Sequence, residues 1–283
     1  MKRRGLRLAA RPARLMGLLR LLRLVGLLQM LLLVGLLRLV GLLRLVGLAL
    51  SLATSALAQD ARRPGWAFMS PALQTLQFDL SQHPGQLAVA DGETLWLRTA
   101  ANGRRCADCH AKVPAVAARY PQAVEGRPLT LAARINACRT QHLGQPTEGD
   151  DGPAVLALQA LVAQRSIGQP VTPDPALRPW AARGEALWRQ RFGQLNLACA
   201  QCHDQHAGQR LGGAAIPQAH PTGYPAYRLE WQGPGSLQRR MRGCLTGVRA
   251  EPFAPGADEW LALESWLMLR AAGLPWEGMA LRP

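Results

Sequence analysis

No acidic residue occurs among the first 58 positions of this 283-residue chain, whereas ten of its 33 lysines and arginines fall there. The formal charge of +15 therefore overstates the basicity of the rest. Beyond residue 58 the balance is about +5, too mild an excess to imply a nucleic-acid partner. Short apolar strands are not evident, and no strand–helix–strand alternation surrounds the cysteines, which excludes a thioredoxin-type redox pair. Methionine is absent between His110 and the proline-bearing stretch from Gly168 to Arg178.

What fills the acid-free start is basic and then leucine-rich. Lys2, Arg3, Arg4, Arg7, Arg11 and Arg14 precede a long apolar run in which Leu-Val-Gly recurs at Leu24, Leu33, Leu39 and Leu45. Ala56-Leu57-Ala58 before Gln59 has the small-residue pattern of a cleavage site. Residues 1–58 therefore read as a long signal peptide, and the chain as a periplasmic protein. From Leu39 to Leu57 only Arg44 is charged, so an uncleaved anchor is the alternative. The roughly 225 residues that remain suit two small domains or one medium one.

All six cysteines lie in that remainder, and four stand in two Cys-x-x-Cys-His runs, Cys106-Ala-Asp-Cys109-His110 and Cys199-Ala-Gln-Cys202-His203. Each reads as a covalent haem c site. The turn puts both sulfurs on one side of the macrocycle, and the next imidazole faces the iron. A zinc knuckle would want four ligands in closed geometry. Two haem c groups are thus expected, attached through Cys106, Cys109, Cys199 and Cys202, with His110 and His203 as the proximal ligands.

The halves repeat. Gly92-Glu-Thr-Leu-Trp96 precedes the first motif and Gly184-Glu-Ala-Leu-Trp188 the second. Each motif is followed by one lone cysteine, Cys138 or Cys244. Apolar helical stretches come next, 154–163 and 260–269, each closing on Gly then Pro. The order of helix, haem motif, loop, distal ligand and terminal helix looks like the cytochrome c fold. The predicted class is mainly α, with two tandem cytochrome c-like domains related by duplication, 59–170 and 171–283. A haem would supply much of the apolar core that domains this small lack.

The far side of each iron is open to several readings. In the first half the candidates are Cys138 and His142. In the second they are Cys244, Met241, His206 and His220. A Cys138–Cys244 disulfide is the reading an oxidising compartment invites, but it would join equivalent points of two domains. Arg239, Arg240, Arg242 and Arg249 surround Cys244 in sequence. Positive charge favours thiolate, and guanidinium forks suit oxyanions. If the stretch before Gly243 is helical, Arg240 lies one turn from Cys244.

At these residues the chain resembles the SoxA cytochromes of the bacterial thiosulfate-oxidising SoxAX complex. The resemblance spans about Trp66 to Pro283. It rests on the Arg-rich run ending Arg242-Gly243-Cys244, on Val248-Arg249-Ala250-Glu251-Pro252, on Asn136-Ala137-Cys138-Arg139 and on Tyr227-Arg228-Leu229. It implies L-cysteine S-thiosulfotransferase activity, the oxidative joining of thiosulfate to a carrier-protein cysteine with electrons leaving through haem. His110 and Cys138 would hold the first iron, His203 and Cys244 the second. Cys244 would be the catalytic cysteine, carrying a persulfide, and Arg240 would bind the sulfur oxyanion. The implied partners are a small SoxX-like cytochrome and a SoxYZ-like carrier. A non-catalytic periplasmic dihaem electron carrier is the competing function, and it predicts Met or His as distal ligands.

Overall fold

The computed structural model describes the backbone of residues 12–56 and 61–283. The first of these is one helix, α1 (Pro12–Ala56), in a unit separate from the body that begins at Arg62. Within it Arg23–Gly47 is long and apolar enough to cross a membrane, with a mean hydropathy of 2.2. The expected cleavage point after Ala58 lies outside the described residues.

The body from 62 to 283 is helical, with short hairpins. Its helices are α2 (Pro71–Phe78), α3 (Gln86–Leu97), α4 (Cys106–Cys109), α5 (Leu131–Leu143), α6 (Pro153–Arg165), α7 (Arg178–Arg189), α8 (Leu237–Gly247) and α9 (Asp258–Arg270). The strands are β1 (Gln122–Val124), β2 (Arg127–Leu129), β3 (Arg210–Leu211), β4 (Ala214–Ala215), β5 (Ala226–Arg228), β6 (Gly233–Gly235) and β7 (Ala280–Arg282). None exceeds three residues, too short to leave a period-two signal. The β1–β2 hairpin turns on Glu125 and Gly126, both at positive φ, the primed turn that matches strand twist.

The duplication is plain in the packing. In one half α3 crosses α6 and in the other α7 crosses α9, and each crossing needs a glycine. A Cβ on Gly92 would collide with the Ala157 carbonyl, and one on Gly184 with the Ala262 carbonyl. The two terminal helices run slightly beyond the predicted 154–163 and 260–269. Pro153 opens α6 at a position where its missing N–H costs nothing. Asp258 and Glu259 open α9, where negative charge suits the helix dipole. Both helices are followed by glycines in the left-handed region, Gly168 and Gly273.

Those two exits then pair with each other. Val171 and Gly168 donate to the carbonyls of Leu274 and Trp276, and Gly273 donates back to Val171. Here the halves share one apolar core, in which Ala163, Ala271, Leu274 and Trp276 are buried together. The chain end closes the body. β7 runs parallel to β5, and the Leu281 amide donates to Gln77 of α2 at 2.6 Å.

A second feature repeats. After Tyr120-Pro121 come β1, β2, the cap residue Thr130 and α5. After Tyr224-Pro225 come β5, β6, the cap residue Ser236 and α8. The Thr130 and Ser236 hydroxyls accept from Ala133 and Arg239 amides at 3.1 and 3.0 Å. Cys138 and Cys244 each stand eight residues past their cap.

Candidate haem and sulfur site

In the first half, α3 ends just before the motif turn, and Asp108 locks that turn. Its carboxylate accepts from the Arg105 amide at 3.0 Å and the Arg105 guanidinium at 2.7 Å. The same bonds hold the carboxyl below its ordinary range. Trp96 of α3 stacks near the His110 ring, centroids 5.7 Å apart. Cys138 of α5 faces Cys106, whose thiol is pushed up first by burial and then by Cys138.

The second half repeats this with more support. The motif runs through a π-turn, Gln201–Gln205. Trp188 of α7 lies 5.6 Å from the His203 ring. Its indole donates to Asp204 at 2.9 Å, Asp204 pairs with Arg270 at 2.7 Å, and Arg270 lies over the Trp188 ring at 4.6 Å. His203 Nδ1 sits 2.7 Å from the Pro217 carbonyl. A carbonyl only accepts, so Nδ1 carries the proton and Nε2 keeps its lone pair for a metal. Burial holds the imidazole neutral by lowering its pKa. Burial and the nearby Cys244 push the Cys199 thiol up to about 11.

These residues fit haem c. Both motifs turn tightly with a ring-stacked histidine behind them. The imidazole of His203 is fixed in the ligating tautomer, and each lone cysteine reaches the neighbourhood of its motif. The Trp266 indole N–H is buried without a partner, a donor that an acidic cofactor group could satisfy. All six cysteines are free thiols, so Cys138 and Cys244 form no disulfide here. Among the described residues no three His, Cys, Asp or Glu side chains gather into a metal cluster of the zinc kind. His142 and His206 are exposed. Met241 packs between the cluster around Trp188 and that around Trp260.

The four arginines adjacent to Cys244 in sequence do not act together. Helix α8 disperses them. Arg239 stacks on Trp231 at 4.3 Å, Arg242 faces Asp150, and Arg249 is exposed beyond the helix end at positive φ. Arg240 is the one that faces Cys244. Burial opposes its charge, but Cys244, Tyr224 and Glu230 outweigh that and keep it firmly protonated. The corresponding residue four places past the cap in the first half, Arg134, is exposed.

Two neighbours of Arg240 are not evident from sequence as site residues. Arg228 of β5 is held below its ordinary range by burial and by Arg240. Its Nε is buried without a partner. Tyr224, its hydroxyl pushed up by burial, faces Arg240, Arg228 and Cys244 together. Two guanidiniums and a phenol thus converge beside one thiol. Like charges gathered with unsatisfied donors make a receptor for an oxyanion.

Asn136 and Arg139, which flank Cys138, have a different job. Both grip Glu148: Asn136 donates to its carbonyl at 2.7 Å and Arg139 to its carboxylate at 2.6 Å. Glu148 in turn accepts from the Ala154 amide at the start of α6.

Comparison with known proteins gives one consistent family. The model for the SoxA/TsdA cytochrome c domain matches residues 91–171 and 183–276. The L-cysteine S-thiosulfotransferase subunit SoxA of Rhodovulum sulfidophilum is 36% identical over 233 residues, 79% of this chain and 81% of that protein. The subunit of the same name from Paracoccus pantotrophus is 30% identical over 226 residues, 77% of this chain and 78% of that one. The crystal structure of SoxXA from P. pantotrophus superposes with a TM-score of 0.75 at 30% identity, covering 82% of this chain and 90% of that chain.

Proposed function

This chain belongs to the SoxA/TsdA cytochrome c family, and from that membership we propose that it works as the haem-bearing catalytic subunit of an L-cysteine S-thiosulfotransferase. The observation that carries the reading is the convergence of Arg240, Arg228 and Tyr224 on Cys244, beside Cys199 of the second motif. An electron carrier needs no anion receptor at its distal ligand.

The reaction joins a carrier thiol to thiosulfate. One S–S bond forms, one proton leaves the thiol, and two electrons leave the sulfurs, so that charge balances. Haem, when bound, supplies the route for those electrons. Two haem groups would be held, one by Cys106, Cys109, His110 and Cys138, the other by Cys199, Cys202, His203 and Cys244. Cys244 would be the catalytic sulfur and carry a persulfide. Arg240 would bind the sulfonate end of thiosulfate by a forked contact, and Arg228 would neutralise its second charge. Pro217 fixes the His203 ring, and Asp204 ties Trp188 and Arg270 behind it.

A small SoxX-like cytochrome would be the partner, as in the SoxXA crystal structure, and a SoxYZ-like protein the carrier. The halves 59–170 and 171–283 would be the two cytochrome c domains. Residues 1–58 would direct the chain to the periplasm and be removed after Ala58. The test is thiosulfate conjugation to the carrier, followed by intact mass, with wild type and Cys244→Ala. Loss of the adduct with haem still attached through Cys199 and Cys202 supports the reading. Full conjugation by Cys244→Ala would leave only an electron carrier.

A further inference from the structure

Between the two halves lies a cavity of about 50 Å³ that none of the motif residues lines, nor Cys138 or Cys244. Its polar wall includes Tyr120, Asp150, Gln159, Tyr224, Ser236 and Glu264. A water needs about 10–15 Å³ of such space and two or more polar partners, so the volume suits a few waters. The Gln159 side-chain amide is buried here with no partner, a donor that asks for an acceptor.

Gln159 and Glu264 are counterparts. Ala157 meets Gly92 and Ala262 meets Gly184, so each lies two residues beyond the equivalent helix crossing. The duplication brings one side chain from each half to the same cavity. They have nearly the same shape, and only one is an acid. Glutamine at 159 shows that the fold tolerates a neutral amide at this position. Even partial burial of a carboxyl is costly, so the half-buried one at 264 calls for a reason other than packing.

Asp150, from the loop before α6, faces it. Burial and then Asp150 push the Glu264 carboxyl up to about 8. Burial and then Asp151 push Asp150 up, against the pull of Arg242. The other ionisable groups on the wall are the Tyr120 and Tyr224 phenols. Two carboxyls so placed cannot both ionise cheaply and titrate as a pair.

We propose that this cavity is a hydrated proton-holding site in which Asp150 and Glu264 keep one proton between them, releasing it when the haem-bearing halves lose an electron and regaining it from solvent when they gain one. The proposal rests on the reading that the two Cys-x-x-Cys-His runs carry haem. Tyr224 lines the cavity and also faces Cys244, which joins it to the second motif's surroundings. An electron arriving there adds one negative charge, and a proton taken up by the pair cancels it. The electrons are those the conjugation reaction releases, and that reaction also frees the proton of the carrier thiol.

The test uses the haem-loaded protein. Reduced-minus-oxidised infrared difference spectra should show a protonated-carboxyl band that vanishes in Glu264→Gln and shifts in Asp150→Asn. The midpoint potential of at least one haem should fall as pH approaches about 8. The limit is tenfold in the reduction constant per pH unit, about 59 mV for one electron, and the slope should flatten in Glu264→Gln. The exchanged variant Glu264→Gln/Gln159→Glu should restore the band. A haem-loaded protein whose wild-type spectra lack the band, or whose spectra and slopes match in Glu264→Gln, overturns the proposal. Should Glu264→Gln fail to fold, Asp150→Asn alone decides by the same two readouts. A chain that takes up no haem would overturn the haem reading instead, which keeps the two failures apart.

Discussion

The carboxylate of Asp151 accepts the backbone N–H of Ser236 at 2.8 Å. Asp151 belongs to the first half and Ser236 caps α8, the helix that presents Arg240 and Cys244. Three residues earlier Glu148 holds Arg139, next to Cys138. One short loop therefore touches the helices that carry the lone cysteines of both halves. Asp151→Ala removes an acceptor for a partly buried amide, so it should cost about 1–2 kcal/mol of stability. Thiosulfate conjugation should drop as well, because α8 loses its fixed start. Denaturant unfolding and turnover check this, and unchanged values in both would mean that the contact does not hold the helix.

The glycine crossings should tolerate nothing larger. Gly184→Ala drives a methyl into the Ala262 carbonyl, and Gly92→Ala into that of Ala157. Backbone cannot rotate away as a side chain can, so each change should destabilise by about 1–3 kcal/mol or more. Gly184→Ala should also weaken haem retention through Cys199 and Cys202, measured as haem absorbance per chain. Gly213→Ala, at a glycine with open space around it, should leave the fold intact and serves as the control.

Much of this was legible in the sequence because the signals are local. The helices α6 and α9 announce themselves through an apolar run and a Gly/Pro stop, and they lie within two residues of expectation, although α6 is buried at nearly every position from Val155 to Ala163 and not on one face alone. The Gly-Glu-x-Leu-Trp repeat marks the helices that stack a tryptophan on each histidine. The hairpins were not legible, since strands of two or three residues have no period. Proximity in sequence misled at the arginines, because α8 turns Arg239 and Arg242 away from Arg240. Arg228, Tyr224, Asp151 and Glu264 reach their partners through folding over long stretches, and single-sequence patterns do not encode such pairs.

The two lone cysteines should separate cleanly by function. Cys138 and Cys244 occupy the same place past their caps, but only Cys244 has a half-buried arginine facing it from one turn before, whereas Arg134 is exposed. Cys138→Ser should alter the ferric spectrum of one haem and leave conjugation near wild type. Cys244→Ser should alter that of the other and abolish conjugation. An unchanged spectrum in Cys138→Ser would return the ligand role to a residue such as His142, which the exposed position of that histidine argues against.

Arg240 and Arg228 should differ in how they fail. Arg240→Ala removes the charge that faces Cys244, a charge-assisted contact worth about 1.5–3 kcal/mol, so turnover should fall roughly ten- to hundredfold. Arg240→Lys should recover part of this, since the charge returns without the fork. Arg228→Ala removes the second positive charge of the anion receptor and leaves Arg240 facing Cys244. That loss should therefore raise KM for thiosulfate more than it lowers kcat. A fall in kcat with KM unchanged would place Arg228 in transition-state stabilisation rather than anion capture.

Stability should carry the mark of Glu264 across pH. Its folded-state value of about 8 lies above the ordinary 4.5. Below 4.5 the carboxyl is protonated in both states and contributes no pH dependence. Between 4.5 and 8 the unfolded chain has released the proton while the folded one retains it, so the folded state binds more protons. Stability must then fall as pH rises through that window, by at most about 1.4 kcal/mol per pH unit from this group. Above 8 both states are ionised and the loss levels off at its full value. Asp150, raised as well, adds to the fall in the same direction. Other groups contribute slopes of their own, so the quantity to measure is the difference between wild type and Glu264→Gln in denaturant unfolding at several pH values. That difference should grow in favour of the variant from mildly acidic to mildly alkaline pH. A constant difference would mean that the Glu264 carboxyl ionises in the folded protein at its ordinary value, with the cavity fully open to solvent.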